Sequence, residues 1–242
     1  MGWQRPTEPV FPTVWYTFEA PDPDNGERLV TYKVVDLTED RFDDTIHHFK
    51  KYFVIDEPIY ASRNTIQDET AMAELEGFWR WCMEQRLTIV CYKDGSNEIV
   101  AANLLHMEQR DDKGNWDIFQ SSIIRDAVKT HLYMTKEFNV FEHYNVERYL
   151  TAYGLAISHR YRGRGIAVEM LKARIPICQA FGVELSATNF TAIASQKAAE
   201  KAGFQSDFET TYDDFANMGP NYTFSEIKSK SLKLMSLQVP KK

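Results

Sequence analysis

The segment from Arg148 to Ala180 most constrains what this chain can fold into. Across Arg148–Ser158, Leu150, Ala152, Gly154 and Ala156 alternate against Tyr149, Tyr153, Leu155 and Ile157, so both faces are apolar and the strand belongs inside a sheet. The run His159–Arg164 then leads into a helix in which Ile166, Met170, Ala173, Ile177 and Ala180 keep helical spacing. Gly182 stands where a helix takes its C′ glycine, and Pro176 is expected to bend the helix. A buried strand, a glycine loop and an amphipathic helix in that order ask for an α/β fold.

The loop itself predicts a ligand. Between a buried strand and a helix, the backbone N–H groups of Arg162-Gly163-Arg164-Gly165-Ile166-Ala167 should point outward at the positive end of the helix dipole. Glycines let an anion approach the backbone, and flanking arginines suit phosphate oxygens, so the expected ligand is the size of a diphosphate. An ordinary surface turn would explain Arg-Gly-Arg-Gly alone; the flanking strand and helix weigh against it. Two other phosphate loops do not fit, because no Gly-Lys pair occurs and Val168 occupies the third glycine position of a dinucleotide fingerprint.

Around this segment the order of elements reads as strand, helix, helix, hairpin, helix. A β-branched run marks a strand over Leu29–Leu37, with Thr38 and Asp40 as candidate caps for a helix through about Phe53. Asp68–Gln85 is helical, with Ala71, Leu75, Phe78 and Cys82 on one face. Leu87–Lys93 and Ile99–His106 form a hairpin across turn-forming residues, and Ile123–Phe138 is helical. Val183–Thr188, Gln205–Tyr212 and Ser231–Val239 read as strands, and Thr191–Ala202 as a helix closed by Gly203. Five prolines before Asp24 make residues 1–28 an extended N-terminal arm, leaving 29–242 as one domain.

Charge and composition narrow the function. With 28 basic against 35 acidic residues and no basic stripe, the chain offers nothing to neutralise a nucleic-acid backbone. No apolar run reaches the roughly 18 residues of a membrane span, and the start of the chain lacks the apolar core of a signal peptide. Three cysteines, each in an apolar run, indicate free thiols rather than a disulfide framework, and the expected location is the cytoplasm. Six histidines show no metal-ligand spacing, so no metal is expected.

Arg162, Gly165 and Ala167 match the fixed places of the Arg/Gln-x-x-Gly-x-Gly/Ala signature, and by it the chain resembles the GNAT superfamily of acyl-CoA N-acyltransferases. The likeness continues through the strand ending Leu155-Ala156-Ile157, through Asn189, and to Ala202-Gly203-Phe204, covering about Leu150 to Phe204. It implies a mixed, mostly antiparallel sheet splayed at the cofactor strand and flanked by helices. It also implies acetyl-CoA as acyl donor, with its pyrophosphate on Arg162 through Ala167, and with Ala156, Ile157 and Asn189 on the cofactor side.

A second likeness lies upstream: Phe53-Val54-Ile55-Asp56-Glu57-Pro58-Ile59 is similar to the Asp-Glu-Pro-Leu segment of insect arylalkylamine N-acetyltransferases, where the glutamate is the proposed general base. Carried over, that residue is Glu57. The chemistry wants such a base, since an alkylamine with a pKa near ~10.4 is an ammonium without a lone pair at neutral pH. A carboxylate near ~4.3 must be raised by burial or a neighbouring acid, and Asp56 is the candidate neighbour. The plainer alternative is that Asp56-Glu57-Pro58 ends a helix.

The same resemblance singles out Thr191 and Ser195, which stand where the insect enzymes carry serines; Ser195 is taken with Glu57 as a candidate catalytic residue, although such hydroxyls often only bond back to the helix. Ala199 replaces the tyrosine that many superfamily members use to protonate the departing thiolate, which leaves the general acid unassigned. Trp79, Tyr133 and Tyr153 are candidates to line an acceptor pocket. The implied reaction is acetylation of a small primary amine such as dopamine, serotonin, tyramine or tryptamine. The alternatives are a polyamine or agmatine acceptor, a longer acyl chain, or a non-catalytic CoA-binding sensor.

Overall fold

Eight strands form one sheet in this computed structural model, which describes residues 3–112, 114, 116–219, 222–224 and 226–240. Met1 and Lys242, the outer limits of the expected arm and domain, lie outside the described residues. The strands are β1 (Val14–Pro21), β2 (Leu29–Asp36), β3 (Ile89–Lys93), β4 (Ile99–Gln109), β5 (Arg148–Ile157), β6 (Leu185–Phe190), β7 (Gln205–Thr211) and β8 (Ser231–Gln238). Their order is β1-β2-β3-β4-β5-β6-β8-β7, and every neighbouring pair is antiparallel except β5 and β6. Those two run parallel and pair only at Leu150 and Ser186. The sheet is therefore split where the family resemblance implies a splay.

Helices cover both faces. Against one lie α1 (Phe42–Tyr52) and α3 (Glu69–Glu84), packing Phe49, Leu75 and Trp79 onto Val90, Leu104 and Ala156. Against the other lie α6 (Ile166–Lys172) and α7 (Arg174–Ala180), packing Ile166, Met170 and Ile177 onto Ile89, Leu105 and Leu150. α4 (Ser122–Glu137) and α8 (Ile193–Ala202) flank the split. Short helices α2 (Pro58–Ser62), α5 (Val140–Tyr144) and α9 (Tyr212–Ala216) have no counterpart in the sequence reading, because five residues carry too little periodicity to register.

Three expectations need correction. The helix expected to bend at Pro176 is two helices, broken at Ala173. Pro176 has no N–H to give the Lys172 carbonyl, so it occupies the first turn of a new helix, where none is needed. Phe78, placed on the buried face of α3, is only partly buried; Met72 and Trp79 complete that face. The alternation along β5 reverses at a bulge, since Leu104 pairs with Gly154 and Leu105 with Ala152. The extra residue, Tyr153, turns every later side chain over. Leu155 and Ile157 therefore join Leu150 and Ala152 on the α6–α7 face, while Ala156 is buried beneath α1 and α3.

Residues 14–21 of the N-terminal stretch form the edge strand β1, paired with β2 from Val14–Val35 to Pro21–Leu29. Arg5 anchors the segment before it. Its two terminal nitrogens reach the Asp36 carboxylate at 2.9 and 2.8 Å, and the guanidinium lies over Phe11, Trp15 and Phe181. Removing one partner of so buried an ion pair costs about 3–5 kcal/mol.

Candidate active site

A cavity of about 550 Å³ runs along the split between β5 and β6. The glycine loop lines part of it. Gly163 and Gly165 adopt φ of +76° and +80°, which side-chain-bearing residues disfavour. No neighbouring atom lies within 4 Å of where a Cβ would sit on either, so conformation alone demands glycine there. The five amides from Gly163 to Ala167 donate to no protein acceptor among the described residues. Gly163, Gly165, Ile166 and Ala167 line the cavity. Chemically, such a row of free amides suits an anion.

The arginines around it are spent holding the loop rather than facing the cavity as free cations. Arg162 donates to the carbonyls of Ile157 (3.0 Å) and Tyr52 (3.1 Å) and pairs with Asp56 at 2.7 Å. Arg164 donates to the carbonyls of Arg160 and Arg162 and does not line the cavity. Lys197 and Lys201, one turn apart on α8, do line it and form no ion pair among the described residues. Sequence reading passed over both; their i,i+4 spacing opposite the loop is the signal that would have found them.

α8 sits close to α6 because its inner face is Ala198, Ala199 and Ala202, packed on Ala167, Val168 and Leu171. Ala199 is fully buried there. A tyrosine at that place would have to displace α6.

Glu57 lines the same cleft. It is the N-cap of α2, accepting the Tyr60 N–H at 2.8 Å, and Pro58 supplies the first helical position. The Asp56-Glu57-Pro58 segment thus starts a helix instead of ending one. Burial pushes the Glu57 carboxyl up, and this outweighs the Thr191 side chain and the Tyr60 and Ile59 amides, which favour its charged form. Asp56 does not supply the neighbouring charge. Burial would raise it too, but hydrogen bonds from His159 (2.9 Å) and Arg162, with the arginine's charge, hold it below the usual carboxylate range.

Ile157, Arg162, Asn189 and Ser195 line the same cavity; Ala156 does not, its side chain being in the core and its carbonyl 3.3 Å from His48 Nε2. Ser195 donates its hydroxyl to the Ala192 carbonyl at 2.7 Å. Thr191 precedes α8 and its side chain hydrogen-bonds Glu57, so the two hydroxyls do not share a helix face.

Aromatic rings line the same cavity as Glu57. Phe78, Trp116, Tyr153 and His131 form a chain of edge and tilted contacts with centroids 5.0 to 6.3 Å apart. Tyr153 is anchored by donating to Glu108 at 2.5 Å. His131 is pushed down to about 4 by burial, so it is neutral, and its Nδ1 lies 2.8 Å from Asn189 Nδ2. Of the aromatic residues expected at the pocket, Trp79 and Tyr153 line it, whereas Tyr133 packs on Phe208 and Phe215 elsewhere. Among the described residues no cluster of His, Cys, Asp or Glu is arranged to hold a metal, and no helix is long and apolar enough to cross a membrane.

Comparison of this geometry with solved structures decides the family. A yellow fever mosquito protein assigned as arylalkylamine N-acetyltransferase 7 superposes with a TM-score of 0.95 and 42% identity, over 98% of this chain and 100% of that one. The chain belongs to the arylalkylamine N-acetyltransferase family. Two less similar solved structures share the fold. Arylalkylamine N-acetyltransferase 2 of Aedes aegypti matches with a TM-score of 0.77 and 18% identity, over 86% of this chain and 99% of that one. The polyamine N-acetyltransferase of Drosophila melanogaster, which forms N-acetylagmatine, gives 0.76 and 14%, over 86% and 100%. No protein-family model and no curated protein sequence matches the chain.

Proposed function

We propose that the protein transfers an acetyl group from acetyl-CoA to a small arylalkylamine, with Glu57 as general base. One observation carries the reading: a single cleft is lined by Gly163, Gly165, Ile166 and Ala167 of the loop, by aromatic rings, and by the raised carboxyl of Glu57. The loop and Lys197 and Lys201 would take the cofactor's phosphates, with its arm lying along Ile157 in the split. The thioester then falls between the loop and Glu57.

An ammonium entering beside the rings loses one proton to the Glu57 carboxylate, which burial makes a stronger base than an exposed glutamate. The freed nitrogen attacks the thioester carbon, a C–N bond forms and the C–S bond breaks. The nitrogen's second proton goes to the departing thiolate, giving CoA thiol and amide, while Glu57 returns its proton to solvent. A thiolate of pKa ~8.5 leaves without a dedicated acid, in keeping with the buried Ala199. Thr191 would orient Glu57, with Ser195 farther along the same wall.

The rings favour an aryl acceptor over a polyamine. Among the described residues the carboxylates lining the cavity are Asp56 and Glu57, and Asp56 is already paired with Arg162 and His159. A second ammonium would meet no free acid there. The cysteines are all buried free thiols, which suits a reducing cytoplasm. Thiol release from acetyl-CoA against tryptamine, dopamine, spermidine and agmatine tests the reading. Turnover with the first two is expected. Turnover with spermidine or agmatine alone would reverse the acceptor assignment, and tight acetyl-CoA binding with no turnover would favour a sensor.

A further inference from the structure

Arg174, at the start of α7, is 1% exposed and reaches into the base of the split. Its Nε lies 3.2 Å from Asn103 Oδ1, and its Nη1 lies 2.8 Å from Thr188 Oγ1 and 3.4 Å from Ser186 Oγ. Asn103 in turn donates to the Gly154 carbonyl at 2.7 Å, so the guanidinium sits below the point where β5 and β6 part. All its partners are neutral. No carboxylate pairs with it among the described residues, Nη2 has no hydrogen-bond partner there, and the residue lines the cavity. The Phe204 ring, 5.7 Å from the guanidinium carbon, offsets only part of the charge.

A buried cation without a counter-charge is costly, and the neutral oxygens around it do not meet that cost in full. Burial shows in its pKa, pushed down to about 9, which still leaves the group charged at neutral pH. The remaining acceptor has to come from whatever enters the split. With phosphates at the loop and the amine at Glu57, the group that extends toward the base of the split is the acyl chain.

We propose that Arg174 selects the acyl group. The split takes acyl chains that stop short of the guanidinium or end in a carboxylate that pairs with Nη2, and it rejects aliphatic chains long enough to reach it. This rests on the transferase reading above, and it adds the acyl-donor class to it. A hydrocarbon end would strip the charge of solvent and return no hydrogen bond, whereas a carboxylate would complete the guanidinium's set.

The test compares acetyl-CoA, succinyl-CoA and hexanoyl-CoA on the intact protein and on Arg174→Met and Arg174→Lys. Binding is read by calorimetry, which needs no turnover and so separates failure here from failure of the transferase reading; thiol release with tryptamine is read in parallel. The wild type should bind succinyl-CoA at least about tenfold more tightly than hexanoyl-CoA, and Arg174→Met should reverse that order, as expected for loss of a buried charge pair. Arg174→Lys should keep the wild-type order and thereby show that a folded, charged site is enough. Equal loss for all three thioesters in Arg174→Met would make the residue only a brace for the split. Hexanoyl-CoA bound by the wild type as tightly as succinyl-CoA would overturn the proposal outright.

Discussion

At the glycine loop of the cleft, the amides from Gly163 to Ala167 have no protein acceptor among the described residues, and the nearby arginines hold the backbone in place. Elsewhere in the cleft, the Glu57 carboxylate from the start of α2 shares the cavity with side chains from α3, α4, β5 and the turn at Trp116. The first region rests on backbone conformation, with positive φ at Gly163 and Gly165, whereas the second is assembled from side chains far apart in sequence. A shared cofactor with a variable acceptor is what such a division allows.

Substitutions in the two regions should separate cleanly. The largest effect is expected for Glu57→Gln, which keeps the shape but not the base. Its kcat should fall by about 10²–10⁴-fold, with acetyl-CoA affinity by calorimetry unchanged; loss of both would mean that the two regions are not independent. Gly165→Ala comes next. A Cβ there meets open space but forces a side-chain-bearing residue to φ +80°, a strain of about 1–2 kcal/mol, so the KM for acetyl-CoA should rise about tenfold while the KM for amine stays put.

Trp116→Ala should do the converse. Losing one ring from the aromatic chain removes about 0.5–1.5 kcal/mol, so the amine KM in steady-state assays should rise by roughly 2–10-fold and the acetyl-CoA KM should not move. The smallest change is expected for Asp56→Asn. It breaks a half-exposed ion pair with Arg162 that is worth at most about 1 kcal/mol, so acetyl-CoA affinity should weaken by no more than about fivefold. A collapse of activity in that variant would show that Asp56 takes part in proton transfer after all.

The same division explains what could be read in the sequence. Contiguous features were legible: the Arg162–Ala167 loop, the buried strand before it, the split sheet and the segment carrying Glu57. Spacing alone exposes the loop and the strand, whereas the split and Glu57 were legible only through the family resemblance. The bulge at Tyr153 was not, because pairing across β4 decides it, and that one residue sends Ala156 to the core and Ile157 to the cleft. Nor were Trp116 and His131 legible as pocket residues; they meet Phe78 and Tyr153 only through tertiary packing. The role of Asp56 was misread for a related reason. Its partners Arg162 and His159 lie about a hundred positions away.

The most direct test of the central claim is the pH dependence of kcat for acetyl transfer to tryptamine, measured for the wild type and for Glu57→Gln. Burial raises the Glu57 carboxyl, and a base works only when deprotonated, so wild-type kcat should fall as pH drops through a midpoint above the ordinary range of an exposed glutamate. In Glu57→Gln that acid limb should disappear along with most of the rate. An unchanged acid limb in the variant, at comparable kcat, would contradict the assignment of Glu57 as the base.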